Sequence, residues 1–194
     1  MSESAIAAAI TFLLSNFSLT FLVVALVFAL ANLALRPKPH TGAHMTNVFL
    51  RWYLFWAIGV SLIYNAVMHI AFGGVAAAFI GWPDSPFQAE VGFASLGFGV
   101  VAIIAAFGSP GMRIAAVLGP AIFLLGDAGG HIRQMMLTGD YAPGNAGITF
   151  WLDIGIPAIG LLLLWFQHRE ANVAAAVAAI SSEIVAERAP QPQA

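Results

Sequence analysis

The stretch FSLTFLVVALVFALANLAL, residues 17–35, carries no charged side chain and decides the class of fold. A helix needs about 20 apolar residues to cross about 30 Å of hydrocarbon, and this run has that length and character. Working outward, four further runs of the same kind follow: Thr46–Phe72, Phe87–Phe107, Met112–Leu137 and Ile148–Gln167. The chain upstream, from Ala5, reads as an interfacial or helical lead-in to the first span. Between the runs stand Arg36-Pro37-Lys38-Pro39, Gly81-Trp82-Pro83, Gly108-Ser109-Pro110-Gly111 and Ala142-Pro143-Gly144-Asn145. Proline removes a donor and clashes with the preceding turn, and glycine admits a left-handed stop, so each break ends a helix. Val75–Ile80 is apolar but too short to span and is expected at the interface.

Composition agrees. Of 194 residues, 60% are hydrophobic and 8% charged, with mean hydropathy +0.89. A soluble domain carries about 25% charged residues, so the expected solvent is the bilayer. The formal net charge is −2 and there is no basic tract, which argues against a nucleic-acid partner. The absence of cysteine excludes disulfides, thiolate metal sites and cysteine redox catalysis. Glu3 replaces a basic n-region and the first apolar run is too long for a cleaved leader, so no signal peptide is expected.

The basic residues orient the spans. Arg36, Lys38 and Arg51 flank the first break, Arg113 follows the third span, and Arg169 and Arg188 follow the fifth; only Arg133 falls on the other side. Basic residues concentrate on the cytoplasmic side. The expectation is a multi-pass protein of the bacterial inner membrane, N-terminus outside and C-terminus cytoplasmic. Trp52, Trp56, Trp82, Trp151 and Trp165 are expected near span ends, as an aromatic belt. Residues 1–168 read as the transmembrane helical domain. Residues 169–194 read as a short cytoplasmic helix followed by a disordered, proline-containing tail.

Inside this apolar chain stand six polar or ionisable side chains: Asn65, His69, Glu90, Asp127, His131 and Asp153. Hydrocarbon penalises such groups, so each marks a functional-site hypothesis. Asn65 and His69 are four apart and share a helix face, as do Asp127 and His131. The second and fourth spans end where the third and fifth begin, so all six are expected near the outer face. The two halves echo each other. Asn65-x-x-x-His69-Ile70 recurs as Asp127-x-x-x-His131-Ile132, and each histidine is followed by a short loop leading to a carboxylate, Glu90 or Asp153. A duplicated helix pair would place the second to fifth spans in a four-helix bundle with the first packed outside.

Three chemistries fit these residues. His69, His131, Glu90 and Asp153 are candidate ligands for Fe, Mn, Zn or Cu, with Asp127 an acceptor orienting them; the di-iron Glu-x-x-His spacing is absent. Alternatively, histidine and carboxylate relay protons beside a quinone or haem, with Tyr64, Asn65 and Asp127 as cofactor-binding groups. In the third reading the same residues are buried hydrogen bonds that fix helix register in a non-catalytic accessory subunit of a larger membrane assembly. Gly126, Gly129 and Gly130 around Asp127 suggest close helix packing, and Ser95 with Gly99 suggests an internal small-residue contact. No phosphate-binding loop, HExxH or serine triad is present, and the chain does not decide whether it is an enzyme.

The stretches GWPDSPFQAEVG (81–92), GHIRQM (130–135) and APGNAG (142–147), together with Asp153, resemble a family of small uncharacterised bacterial polytopic membrane proteins. The likeness covers the second to fifth spans and implies localisation rather than mechanism. Size and paired-helix build are also similar to DoxX-like four-helix membrane proteins. The expectation is therefore an all-α integral membrane protein of five transmembrane helices. It would hold a buried His/carboxylate site near the outer face, binding a metal ion or a redox- or proton-active cofactor, with other membrane subunits as its protein partners.

Overall fold

The computed structural model describes residues 3–188, which are helical with no β-strand. The disordered tail expected to follow a short helix within 169–194 falls, from residue 189 on, outside the described residues. The helices are α1 (Glu3–Ser15), α2 (Phe17–Ala34), α3 (Gly42–Trp52), α4 (Ser61–Ala71), α5 (Gly73–Ile80), α6 (Phe87–Ala106), α7 (Pro110–Thr138), α8 (Pro143–Ala146) and α9 (Ile148–Arg188). A π-helical segment, Tyr53–Val60, joins α3 to α4 in one continuous rod, Gly42–Ala71. Five helices are long and apolar enough to cross a membrane: α2, the α3–α4 rod, α6, α7 and the helix that begins with α8 and continues as α9.

Local chemistry sets the ends. Ser109 caps α7 by accepting from Met112 N, with Pro110 at the first helical position, where its missing N–H costs nothing. Gly139 ends α7 and Gly81 ends α5, both with left-handed φ. At Gly81 a side chain would also strike the Asp140 carboxylate, at 2.7 Å from a built Cβ. Arg113 is buried, and its guanidinium donates to the Ala105 and Ala106 carbonyls at the end of α6 and to the Asn47 side chain. That satisfies orphan acceptors at a helix C-terminus with a cation.

Packing follows small residues. On α6, Gln88, Gly92, Ser95 and Gly99 share one face, turned towards α4. A Cβ on Gly92 would meet Ile70 at 2.5 Å, and one on Gly99 would meet the Gly59 carbonyl at 2.8 Å. The most extensive helix contacts are α4 with α6 and α7 with α9, the pairs expected from the repeated motif. Tyr53 donates its hydroxyl to Ile156 O at 2.8 Å and ties the rod to α9. The core gathers Leu50, Leu54, Ile58, Ala102, Val117 and Ile156 around this contact. The outer surface is studded with exposed Leu, Ile, Val and Phe side chains, as on a protein whose surroundings are apolar.

Two expectations are corrected. The fifth span and the expected cytoplasmic helix are one helix of 41 residues, about 60 Å long, or about twice the hydrocarbon thickness. No glycine or proline follows Gly160 before Pro190, so nothing breaks the Ala-rich continuation. The glycines around Asp127 are not a close helix contact. A Cβ at Gly126 or Gly129 meets nothing within 4 Å, and only Gly130 lies against a neighbour, the Trp82 ring.

Candidate functional site

His131, on α7, is buried and tied on both ring nitrogens. Nδ1 lies 2.7 Å from Asn145 Oδ1, and Nε2 lies 3.4 Å from Asp153 Oδ2 on α9. Asn145 sits in α8, the short helix that brings the chain back from α7 to α9, and is fully buried. Its Nδ2 donates to the carbonyls of Asp140 and His131, which fixes Oδ1 on the opposite side of the amide. Oδ1 then accepts from Trp82 Nε1 at 2.9 Å and from His131 Nδ1. A carbonyl oxygen only accepts, so His131 must carry its proton on Nδ1. Nε2 is thereby left to face the Asp153 carboxyl. The Trp82 ring tilts over His131 at a centroid distance of 5.4 Å.

Asp127 stands one turn below His131 and interacts electrostatically with both His131 and Asp153. It makes no side-chain hydrogen bond among the described residues. Pro157 lies four residues after Asp153, so the Asp153 carbonyl lacks its usual helical donor and α9 is locally loosened at the site.

These groups face a cavity of about 590 Å³, within the range of small-molecule sites. Tyr64, Asn65, His69, Asp127, His131 and Asp153 all line it. Its remaining lining is mostly apolar, including Leu62, Phe72, Val75, Phe79 and Leu124. Of its exposed lining residues all but Thr11 are apolar. On the α4–α6 side, His69 Nδ1 bonds Gln88 Oε1 and Asn65 Nδ2 donates to Ser95 Oγ at 3.0 Å. Tyr64 donates its hydroxyl to Leu14 O at 3.3 Å, at the end of α1.

Glu90 does not join this set. It is exposed and absent from the cavity wall. The reason is helical register: Gln88 heads the face that packs on α4, and a residue two places on is turned by about 200°. In the first turn of α6 a carboxylate also suits the helix N-terminus. The expected ligand set of His69, Glu90, His131 and Asp153 is therefore not assembled. His69 pairs with Gln88, and His131 with Asn145 and Asp153. Among the described residues no group of three or more His, Asp or Glu side chains could hold a metal ion.

Three site residues went unread in the sequence: Gln88, Asn145 and Trp82. Asn145 lay within a noticed stretch, APGNAG, but a loop asparagine carries no periodicity to mark it as buried. Gln88 had a signal, its seven-residue spacing from Ser95 on the small-residue face.

Fold and site together define an all-helical chain with five helices of membrane-crossing length and a polar cluster in a mostly apolar cavity at one end of the bundle. The chain belongs to the Family of unknown function (DUF6790), whose model matches residues 15–173 and so covers the whole cluster. No curated protein and no solved structure matches it.

Proposed function

We propose that this is a multi-pass membrane protein that binds a small lipophilic molecule in the α4–α9 cavity, beside a proton-exchanging pair, His131 and Asp153. The observation that carries the reading is convergence: five of the six polar residues that stand out in the sequence line one cavity, joined there by Tyr64, and its exposed rim is apolar but for Thr11. Hydrocarbon-depth polar groups persist where they serve a site. His131 is held in one tautomer by Asn145, as a group that passes protons through Nε2 would need. Among the described residues a metal ion has no set of three ligands, so an organic ligand fits the cavity better. The basic residues support an inner-membrane location with the cavity towards the outside and the end of α9 in the cytoplasm.

Native mass spectrometry of the purified protein, with solvent extraction of bound lipophiles, tests this. The expected result is a stoichiometric organic adduct in the wild type and in Glu90→Gln. Ala76→Phe, which fills a lining position, should lose it. Absence of any adduct, with no saturable uptake of added lipophiles, would refute the reading.

The accessory-subunit reading is favoured by Asn65–Ser95 and by the Asn145 contacts, which tie separate elements together. It does not account for Asp127, which lines the cavity with no hydrogen-bond partner among the described residues.

A further inference from the structure

The cavity's hydrogen-bond inventory restricts the ligand's head group, given that a lipophilic molecule binds there as proposed above. Gln88 Oε1 takes the Nδ1 proton of His69, so the Nε2 of a neutral His69 presents a lone pair. Asp127 lines the cavity and accepts no hydrogen bond among the described residues. Asp153 also lines the cavity and is 6% exposed; its Oδ2 is buried with no hydrogen-bond partner among the described residues and lies 3.4 Å from His131 Nε2. The ionisable groups left open on the wall are thus acceptors, and the open donors beside them are neutral, the Gln88 amide N–H and the Ser85 and Thr149 hydroxyls. Among the described residues no lysine or arginine lines the cavity. His131 faces both Asp127 and Asp153, and one imidazole carries at most one positive charge, so it cannot balance both acids.

A ligand that matches these groups supplies donors, and a positively charged donor matches them best. The aromatic rings of Tyr64, Phe72, Phe79, Trp82 and Phe87 line the same cavity. Cations sit favourably over such ring faces, and more so when desolvated. We propose that the ligand is a lipophilic ammonium: an apolar body with a protonated amine head, held by Asp127 as counter-ion and by the surrounding aromatic faces.

The test compares three probes on the full-length protein in a neutral detergent, with tryptophan fluorescence as readout. Dodecylamine is cationic, dodecanol is its neutral counterpart, and decyl-ubiquinone offers only acceptors. The expected result is that dodecylamine binds at least tenfold tighter than either of the others. Asp127→Asn should erase that preference and Glu90→Gln should retain it. Equal binding of dodecylamine and dodecanol, a preference for the quinone, or a preference that survives Asp127→Asn overturns the inference while leaving a lipophile site in place. Failure of all three probes to bind removes the site itself. If Asp127→Asn does not fold, the wild-type comparison of the three probes decides alone.

Discussion

Asn145 and His131 are joined twice, by Nδ1 to Oδ1 at 2.7 Å and by Nδ2 to the His131 carbonyl at 3.4 Å. The loop between α7 and α9 is thereby locked to the histidine it frames, and Trp82 is drawn into the same oxygen. Fully buried polar groups are costly when left unpaired. Asn145→Ala strands the His131 and Trp82 N–H groups together with two carbonyls. The expected loss is about 3 kcal/mol, or roughly 5–10 °C in the thermal midpoint for a chain of this size. A midpoint unchanged from wild type would show that Asn145 is not the hub described.

The crossing of α6 with the α3–α4 rod depends on an absent side chain. A Cβ at Gly99 meets backbone, the Gly59 carbonyl at 2.8 Å, which cannot rotate away. Gly99→Ala should destabilise by about 1–3 kcal/mol. Gly97, two residues earlier on the same helix, has nothing within 4 Å, and Gly97→Ala should stay within about 0.5 kcal/mol of wild type. Differential scanning of the two variants in one detergent reads the contrast directly.

Stability should not depend on metal. The four side chains expected to ligate one are divided between separate partners, and Glu90 is exposed. Dialysis against a chelator should leave the melting midpoint and the circular dichroism spectrum unchanged. A stoichiometric metal that disappears in His131→Ala would contradict this.

The far half of α9 bears no load in the bundle. Every residue from Ala171 to Val185 is exposed. Truncation after Ala171 should leave the midpoint within about 0.5 kcal/mol of the full chain, since exposed positions away from packing contribute little. A large drop would mean that this arm is covered in the folded protein.

Much of the fold was legible in the sequence because span length and helix breaks are local properties. Apolar runs add up residue by residue, and Pro110 or Gly139 acts on its own turn. Hence the spans expected at Phe87–Phe107 and Met112–Leu137 are matched by Phe87–Ala106 and Pro110–Thr138. The last helix runs on past the expected span end at Gln167 for a local reason too: the change from apolar to Ala-rich sequence alters hydropathy and not helix propensity.

The amino-acid order by itself determined an all-helical chain, five membrane-length helices and a polar set confined to one end of them, because hydropathy and steric breakers need no partner to act. Which polar groups meet was decided only in three dimensions. Each residue along a helix turns the side chain by about 100°, so Gln88 faces α4 while Glu90, two places on, faces away. Asn145 becomes the centre of the site only because α8 folds it back between α7 and α9, a placement that depends on packing between segments distant in the chain.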